Sequence, residues 1–486
     1  MTQAVAAPLS AVETATSAAL SAPGAGGGSG SSGGAGAPPP GTLVHTLSDL
    51  VAHFERGCKS PSQLQIGVEH EKIAVALDAD GSVRPVPYED AAGRPQIRAL
   101  LQGLQQHGWQ PVFEKEHVIA LKRSGASVTL EPGGQFELSG RPFSTEIECA
   151  DDVDAHLADL LPIGEQNQIA FLACGFRPLG TWDDVSYMPK GRYRVMREYL
   201  PTRGSMGVEM MKRTATVQAN LDFVSEADAV AKMRLSLGLA PLVTALYAAS
   251  PLVDGKVSSY QSYRAACWLD TDNSRCGILP FMFEEGAGFA QYAEWALDVP
   301  MFFVYRHGTY THVPDLTFRR FMAEGYREER ATLADWELHL STMFPDARLK
   351  QYVEVRSADA GPMDMIRGLG ALWRGLFYDQ ASLQAAWELV KDWSASERET
   401  LRQQIPQQGM KATVRGHNVG ALCEQMVRIA MAGLRELGSD GGVRLMEPLL
   451  DMAKARRCPA DDILAAWHEV GGSPRAFVEK TRIRID

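Results

Sequence analysis

Acidic and amide side chains recur at alternate positions in four separate stretches of this chain. Glu69 and Glu71 lie in QIGVEHEKIAVAL (65–77), and Glu131, Gln135 and Glu137 lie in SVTLEPGGQFELSG (127–140). Gln218 and Asn220 lie in TATVQANLDF (214–223), and Glu354 with Arg356 in RLKQYVEVR (348–356). Successive strand side chains point to opposite faces. Glu69 and Glu71 thus share one face, while Val68, His70 and Lys72 take the other. Thr129 shares a face with Glu131, and beyond the Pro132-Gly133-Gly134 turn Gln135 shares one with Glu137. A buried carboxylate without a partner is costly, so such faces are solvated or filled with cations. Magnesium favours a few carboxylates completed by phosphate oxygens and water. Magnesium and a nearby arginine both neutralise the charge that builds during phosphoryl transfer. The chemistry on offer is metal-assisted handling of ATP phosphates.

Each pair alone has a plainer meaning. Two glutamates on one strand face usually mark the solvent side of an antiparallel sheet. Glu354 with Arg356 reads equally as a surface ion pair worth little. Recurrence on four strands, one of them carrying a Pro-Gly-Gly turn, favours a shared basin.

The elements that must position these residues follow from periodicity. Helices are expected over 47–54, 95–107, 151–171, 192–199, 289–296 and 337–344. Strands are expected over 65–77, 116–121, 127–138, 214–223, 300–305 and 348–356. Ser225 and Asp228 open a further helix, and Ser396 with Glu399 forms a capping box. Residues 259–277 lack a period and read as a loop or short helix. From Met363 onward the pattern is helical only. The architecture is α+β, with a single domain over 43–486. Residues 1–42, rich in Ala, Gly, Ser and Pro, are expected to be a disordered tail.

With 486 residues, 45% of them hydrophobic, and a net charge of −11, the chain suits a globular protein without a nucleic-acid partner. No run of about 18 uncharged apolar residues suggests a membrane span. The seven cysteines are scattered and form no C-x-x-C pair, which points to a reducing cytoplasm.

The motifs IGVEHEK, LEPGGQFELSG, MPKGRYRVMREYLP, RTATVQANLDF, WLDTD, ALDVPMFFVYR and RLKQYVEVRSAD resemble, in order, the plant-type glutamate–cysteine ligase family. The likeness spans roughly residues 45 to 480 and leaves out the N-terminal tail. It implies a glutamine-synthetase-like fold: a curved antiparallel sheet forming a funnel, helices outside, and a helical C-terminal region. It implies ATP- and Mg2+-dependent joining of L-glutamate, through its γ-carboxylate, to L-cysteine by way of a γ-glutamyl phosphate. That is the first step of glutathione synthesis, carried out by a monomer or homodimer.

By position, Glu69, Glu71, Glu131, Glu137, Gln218 and Glu354 resemble ligands of two or three Mg2+ ions. Arg356 would face the transferring phosphoryl group, with Lys190 and Arg192 as further phosphate contacts. Arg264 resembles the clamp on the glutamate α-carboxylate, with Trp268 nearby. Arg213 is a second candidate, although strand parity sets it opposite Gln218. Phe302 and Tyr305 mark the cysteine site, yet an apolar strand of this kind ordinarily belongs to the core. Phe302 also departs from the tyrosine common at its position. Cys149 resembles one half of a regulatory disulfide of plant members, but no cysteine stands near Arg367 or in the hairpin around Val313, so no equivalent switch is expected.

Two other readings share these residues. A relative of the same fold could join glutamate to a different amine, or could bind nucleotide or amino acid without catalysis. A metal-dependent hydrolase fits poorly, since no H-E-x-x-H spacing occurs.

Overall fold

A computed structural model describes residues 38–90 and 92–485. Residues 1–37 of the expected tail lie outside the described residues. Within 38–42, the Pro40 and Thr42 carbonyls accept hydrogen bonds from the Ala334 and Leu333 amides at 3.0 and 2.8 Å.

The site-bearing element is a ten-stranded antiparallel sheet. Its strands are β1 (Ile66–Leu77), β2 (Val83–Pro85), β3 (Gln110–Glu114), β4 (His117–Arg123), β5 (Ala126–Leu130) and β6 (Phe136–Ser139). They continue with β7 (Ile169–Leu172), β8 (Thr216–Leu221), β9 (Ala347–Leu349) and β10 (Val353–Asp359). The spatial order is β9-β10-β8-β1-β6-β5-β4-β3, with β2 and β7 pairing the far half of β1. β1 is long enough to hold β8 and β6 at one end and β2 and β7 at the other. Register then sets the chemistry. Glu69 lies opposite Gln218 on β8 and Ser139 on β6, and Glu71 lies opposite Glu137. Glu354 faces Asn220 across the β10–β8 pair.

The opposite face of the sheet is largely apolar, with buried His70 and Lys72 among its residues, and is covered by helices Glu146–Gln166, Glu226–Tyr247 and Met363–Phe377. The first two start at side-chain caps: Thr145 with Glu148, and Ser225 accepting from the Asp228 amide. Glu226–Tyr247 is long and apolar enough to cross a membrane by length and composition. In its most apolar window 83% of the residues are buried inside the protein, so the core accounts for its apolarity.

Several elements depart from the sequence expectation for identifiable reasons. The helix expected over 151–171 ends at Gln166, and residues 169–172 form β7. Gln168 at φ +56° turns the chain, and a four-residue apolar run suits either period. The strand expected over 348–356 is a hairpin, β9 and β10, around Lys350-Gln351-Tyr352. That turn has none of the usual Gly, Pro, Asn or Asp signals and is held by the Lys350 amide donating to the Tyr352 carbonyl. The capping box belongs to Ser394 and Glu397, not Ser396 and Glu399. The helix expected over 337–344 runs from Leu333 to Leu340, capped by Thr332 and Asp335. The strand at 300–305 is shifted to Phe303–Arg306 and pairs with Thr309–His312. A two-residue hairpin at 413–418 interrupts the late helices.

Candidate active site

The strand faces converge as their parity requires. Glu69, Glu71, Glu131, Glu137 and Gln218 line one open basin of about 940 Å3, with Lys190, Arg192 and Arg356 on its rim and walls.

The tight turn after β5 delivers Glu131. Gly134 stands at φ +81°, and a Cβ on Gly133 would lie 2.1 Å from the Lys212 carbonyl oxygen, so only glycine lets helix Gly207–Arg213 approach. Gln135, expected to share the acidic face, instead ties this turn together. Its Oε1 accepts from the Gly133 amide, and its Nε2 donates to the Met211 and Thr214 carbonyls.

The acidic wall is crowded. Glu71 and Glu137 are directly paired across strands, an arrangement that repels. Burial, and then the Glu354 and Glu137 charges, push the Glu69 carboxyl up to about 7. Burial followed by Glu131 and Glu137 raises Glu71 well above its usual range, and burial followed by Glu131 raises Glu137. The chain supplies neutral donors here: Asn220 to Glu69 at 2.8 Å, Thr129 to Glu137 at 2.6 Å, and the Thr216 amide to Glu71 at 3.0 Å.

Glu354 stands apart from this wall. It is fully buried, with Arg348, Lys350 and Arg356 all paired to it. Burial opposes its charge, but those three cations hold the carboxyl well below its usual range. Glu354 is therefore not an open ligand awaiting a cation, as the sequence suggested; its counter-charge is already built in. Arg348 and Lys350 line the basin as well. Neither carries a signal in the strand pattern, because the unmarked turn at 350–352 hides that Arg348 folds back onto Glu354.

Arg356 sits where β10 slips register against β8, between Val355 and Ala358. A bulge of this kind re-aims a side chain. Its Nη1 donates to Gln218 Oε1 at 2.7 Å and to Glu354. Arg356 and Phe344 also line a second, smaller pocket of about 510 Å3 beside the basin. Arg264, Trp268, Arg402 and Asp346 line this pocket. Arg264 lies on a short helix, Tyr263–Leu269, capped by Ser262, within the segment that had no period. The Trp268 indole N–H is buried without a hydrogen-bond partner among the described residues.

Three predicted residues lie elsewhere. Arg213 is fully buried at the end of its helix and is consumed by Glu209, Asp254 and the Arg177 and Gly180 carbonyls. It lines neither cavity, because four acceptors tie its two terminal nitrogens down inside the core. Phe302 is a core residue, with the Arg275 guanidinium 4.0 Å above its ring and Tyr199 edge-on at 4.8 Å. Tyr305 packs on Tyr310, at 4.5 Å between ring centres, and lines neither cavity.

Among the described residues no three His, Cys, Asp or Glu side chains stand at the spacing of a ready-made metal cage. Magnesium does not require one, since it binds through one or two carboxylates with phosphate oxygens and water. The crowded carboxylates with raised pKa fit that shared mode. The fold and site together describe an acidic and cationic basin joined to a smaller, arginine-lined pocket.

Comparison with known proteins agrees. Residues 65–480 match the family described as Glutamate-cysteine ligase family 2 (GCS2). The chain is 43% identical to a chloroplastic glutamate–cysteine ligase of Nicotiana tabacum over 427 residues, covering 87% of this chain and 80% of that protein. It is 44% identical to chloroplastic glutamate–cysteine ligase B of Oryza sativa subsp. japonica over 397 residues, covering 81% and 78%. A crystal structure of glutamate–cysteine ligase from Francisella tularensis in complex with AMP shares the fold, with a TM-score of 0.52 at 13% identity, covering 86% of this chain and 87% of that one. The chain belongs to glutamate–cysteine ligase family 2 and is an enzyme of that family. The expected cytoplasmic location does not stand, because the named relatives are chloroplastic. Scattered free cysteines do not specify an address.

Proposed function

We propose that the basin binds ATP with its magnesium ions, that the smaller pocket binds glutamate, and that Arg356 stands where the two substrates react. The reaction is the ligation of L-glutamate to L-cysteine. The glutamate γ-carboxylate attacks the γ-phosphorus of ATP and releases ADP. The cysteine amine then attacks the γ-glutamyl phosphate and expels phosphate, leaving γ-glutamylcysteine. A free carboxylate is a poor acylating agent, and phosphorylation gives it a leaving group.

The observation that carries this reading is that one guanidinium, Arg356, lines both cavities. An arginine there neutralises charge on the phosphoryl group as the carboxylate approaches. Glu69, Glu71, Glu131 and Glu137 would hold two or three Mg2+ ions, with Gln218 and Glu354 joining if they release their present partners. Bound there, magnesium neutralises the triphosphate and the charge that builds in transfer. Lys190 and Arg192 face the same basin and suit phosphate contacts. Arg264 presents a planar fork matched to a carboxylate, and Trp268 adds an unpaired donor beside it. The partners in this reading are three small molecules, handled by a monomer or homodimer without nucleic acid or membrane.

The test is phosphate release by the purified protein with Mg2+, ATP and glutamate, across a panel of amines. Cysteine-dependent release with γ-glutamylcysteine as product is expected. Faster release with another amine would reassign the acceptor, and no release with any amine would leave a binding protein.

A further inference from the structure

The smaller pocket is backed by a carboxylate that neither cavity exposes. Asp359 ends β10, and its side chain is fully buried. Its Oδ2 accepts from the Ala249 amide at 3.0 Å and the Ser250 hydroxyl at 2.6 Å. Its Oδ1 accepts from the Ser262 hydroxyl at 2.8 Å and lies 3.7 Å from Arg264 Nη1. A Cβ on Gly175 would fall 2.5 Å from Asp359, so the backbone there packs directly against it.

Both serines also reach the element that carries Arg264. Ser262 caps helix Tyr263–Leu269 by accepting from the Ala265 amide, and Ser250 Oγ accepts from the Arg264 amide at 3.2 Å. The Arg264 guanidinium makes one hydrogen bond among the described residues, from Nη2 to the Arg356 carbonyl at 2.9 Å. Nη1 faces Asp359 at 3.7 Å without a hydrogen bond, and the guanidinium otherwise makes none among the described residues, in a pocket that also holds the unpaired Trp268 donor. Asp359 thus fixes the guanidinium from behind, directly and through two hydroxyls, without filling its front.

We infer that Asp359 is a positioning residue: it aims Arg264 at the α-carboxylate of the amino-acid substrate and so makes the pocket selective for dicarboxylic α-amino acids. This rests on the reading that the smaller pocket takes glutamate. A positioned charge pair discriminates strongly against a substrate lacking its partner, because the buried donors are then left unmatched. A γ-carboxylic acid without the α-carboxylate presents the same reacting group and loses only this contact.

The experiment compares glutamate with 4-aminobutanoate, which is glutamate without its α-carboxylate. Steady-state kinetics with Mg2+, ATP and cysteine are measured for the full chain and for Asp359→Asn, Ser250→Ala, Arg264→Ala and the Arg264→Ala/Asp359→Asn double variant. Asp359→Asn is expected to raise the KM for glutamate about tenfold and lower the glutamate preference by the same factor, with the KM for ATP moved less than about twofold. Ser250→Ala should show the same split at about threefold, and it carries the test if Asp359→Asn fails to fold. On an Arg264→Ala background, Asp359→Asn should add nothing further for glutamate. Equal losses for both acids and for ATP, or a full Asp359→Asn effect without Arg264, would overturn the positioning role while leaving the glutamate pocket intact. An Arg264→Ala variant with unchanged glutamate preference would remove the pocket reading, and this inference with it.

Discussion

The two walls of the basin are built from the same residue type and titrate in opposite directions. On one wall Glu69, Glu71 and Glu137 crowd together with neutral donors, and their carboxyls are raised. On the other, Glu354 is just as buried, and Arg348, Lys350 and Arg356 pull its carboxyl down. Burial penalises both walls alike, so the difference lies in what faces each carboxylate. One wall leaves its counter-charge to an incoming cation. The other has that charge built in and holds three cations at the edge of the basin. In the proposed reaction, a triphosphate with its metals would complement both walls at once.

Breaking the cationic wall should have the largest effect. Glu354→Gln strips buried Arg348 and half-buried Lys350 and Arg356 of their shared buried partner. Breaking such a pair costs about 3–5 kcal/mol, so denaturant unfolding should show a loss in that range together with loss of turnover. Arg356→Lys keeps the charge but not the planar guanidinium, whose Nη1 alone donates to both Gln218 and Glu354 and leaves its other N–H groups for the phosphoryl group of the proposed reaction. Turnover should fall roughly 10³-fold with little change in melting temperature. Full activity in that variant would sever the link between the two cavities.

The acidic wall is broken more gently, by pH. The Glu69 carboxyl is raised from an ordinary 4.5 to about 7 in the folded protein. Its protonated form is favoured by folding, so its contribution is fully present below the unfolded value and is lost as pH rises through about 7. Without Mg2+, stability should therefore decline across that window, and Glu69→Gln should flatten the decline. Glu354 works with the other sign: its contribution is present above its ordinary value and is lost only in stronger acid. Thermal melts across pH, with and without Mg2+ and ATP, check both signs. A wild-type decline unchanged in Glu69→Gln would contradict the crowding.

The acidic wall was legible in the sequence because strand parity is a two-residue rule, and β1, β6 and β8 keep it without interruption. The cationic wall was only half legible. The turn at 350–352 has no turn-forming residue, so the stretch looks like one strand and Arg348 seems remote from Glu354. The bulge that aims Arg356 leaves no mark either, since it depends on the register of β10 against β8. Arg213 shows the reverse error, while Phe302 follows the core reading that its apolar strand favoured. Each sits in a motif shared with the family, yet tertiary partners, four acceptors for one and a stacked guanidinium for the other, hold both in the core.

The smallest expected effect follows from that last point. Phe302→Tyr adds a hydroxyl beneath Arg275 in packed core. It should cost about 1–3 kcal/mol of stability by overpacking, with the KM for cysteine changed less than about twofold. A large selective drop in that KM would return Phe302 to the acceptor site.

The most direct test of the two-wall account is anomalous diffraction from crystals grown with Mn2+, a non-hydrolysable ATP analogue and glutamate. The account predicts metal peaks among Glu69, Glu71, Glu131 and Glu137, with the terminal phosphate turned toward Arg356. Peaks confined to other carboxylates, or a triphosphate bound away from this basin, would contradict it.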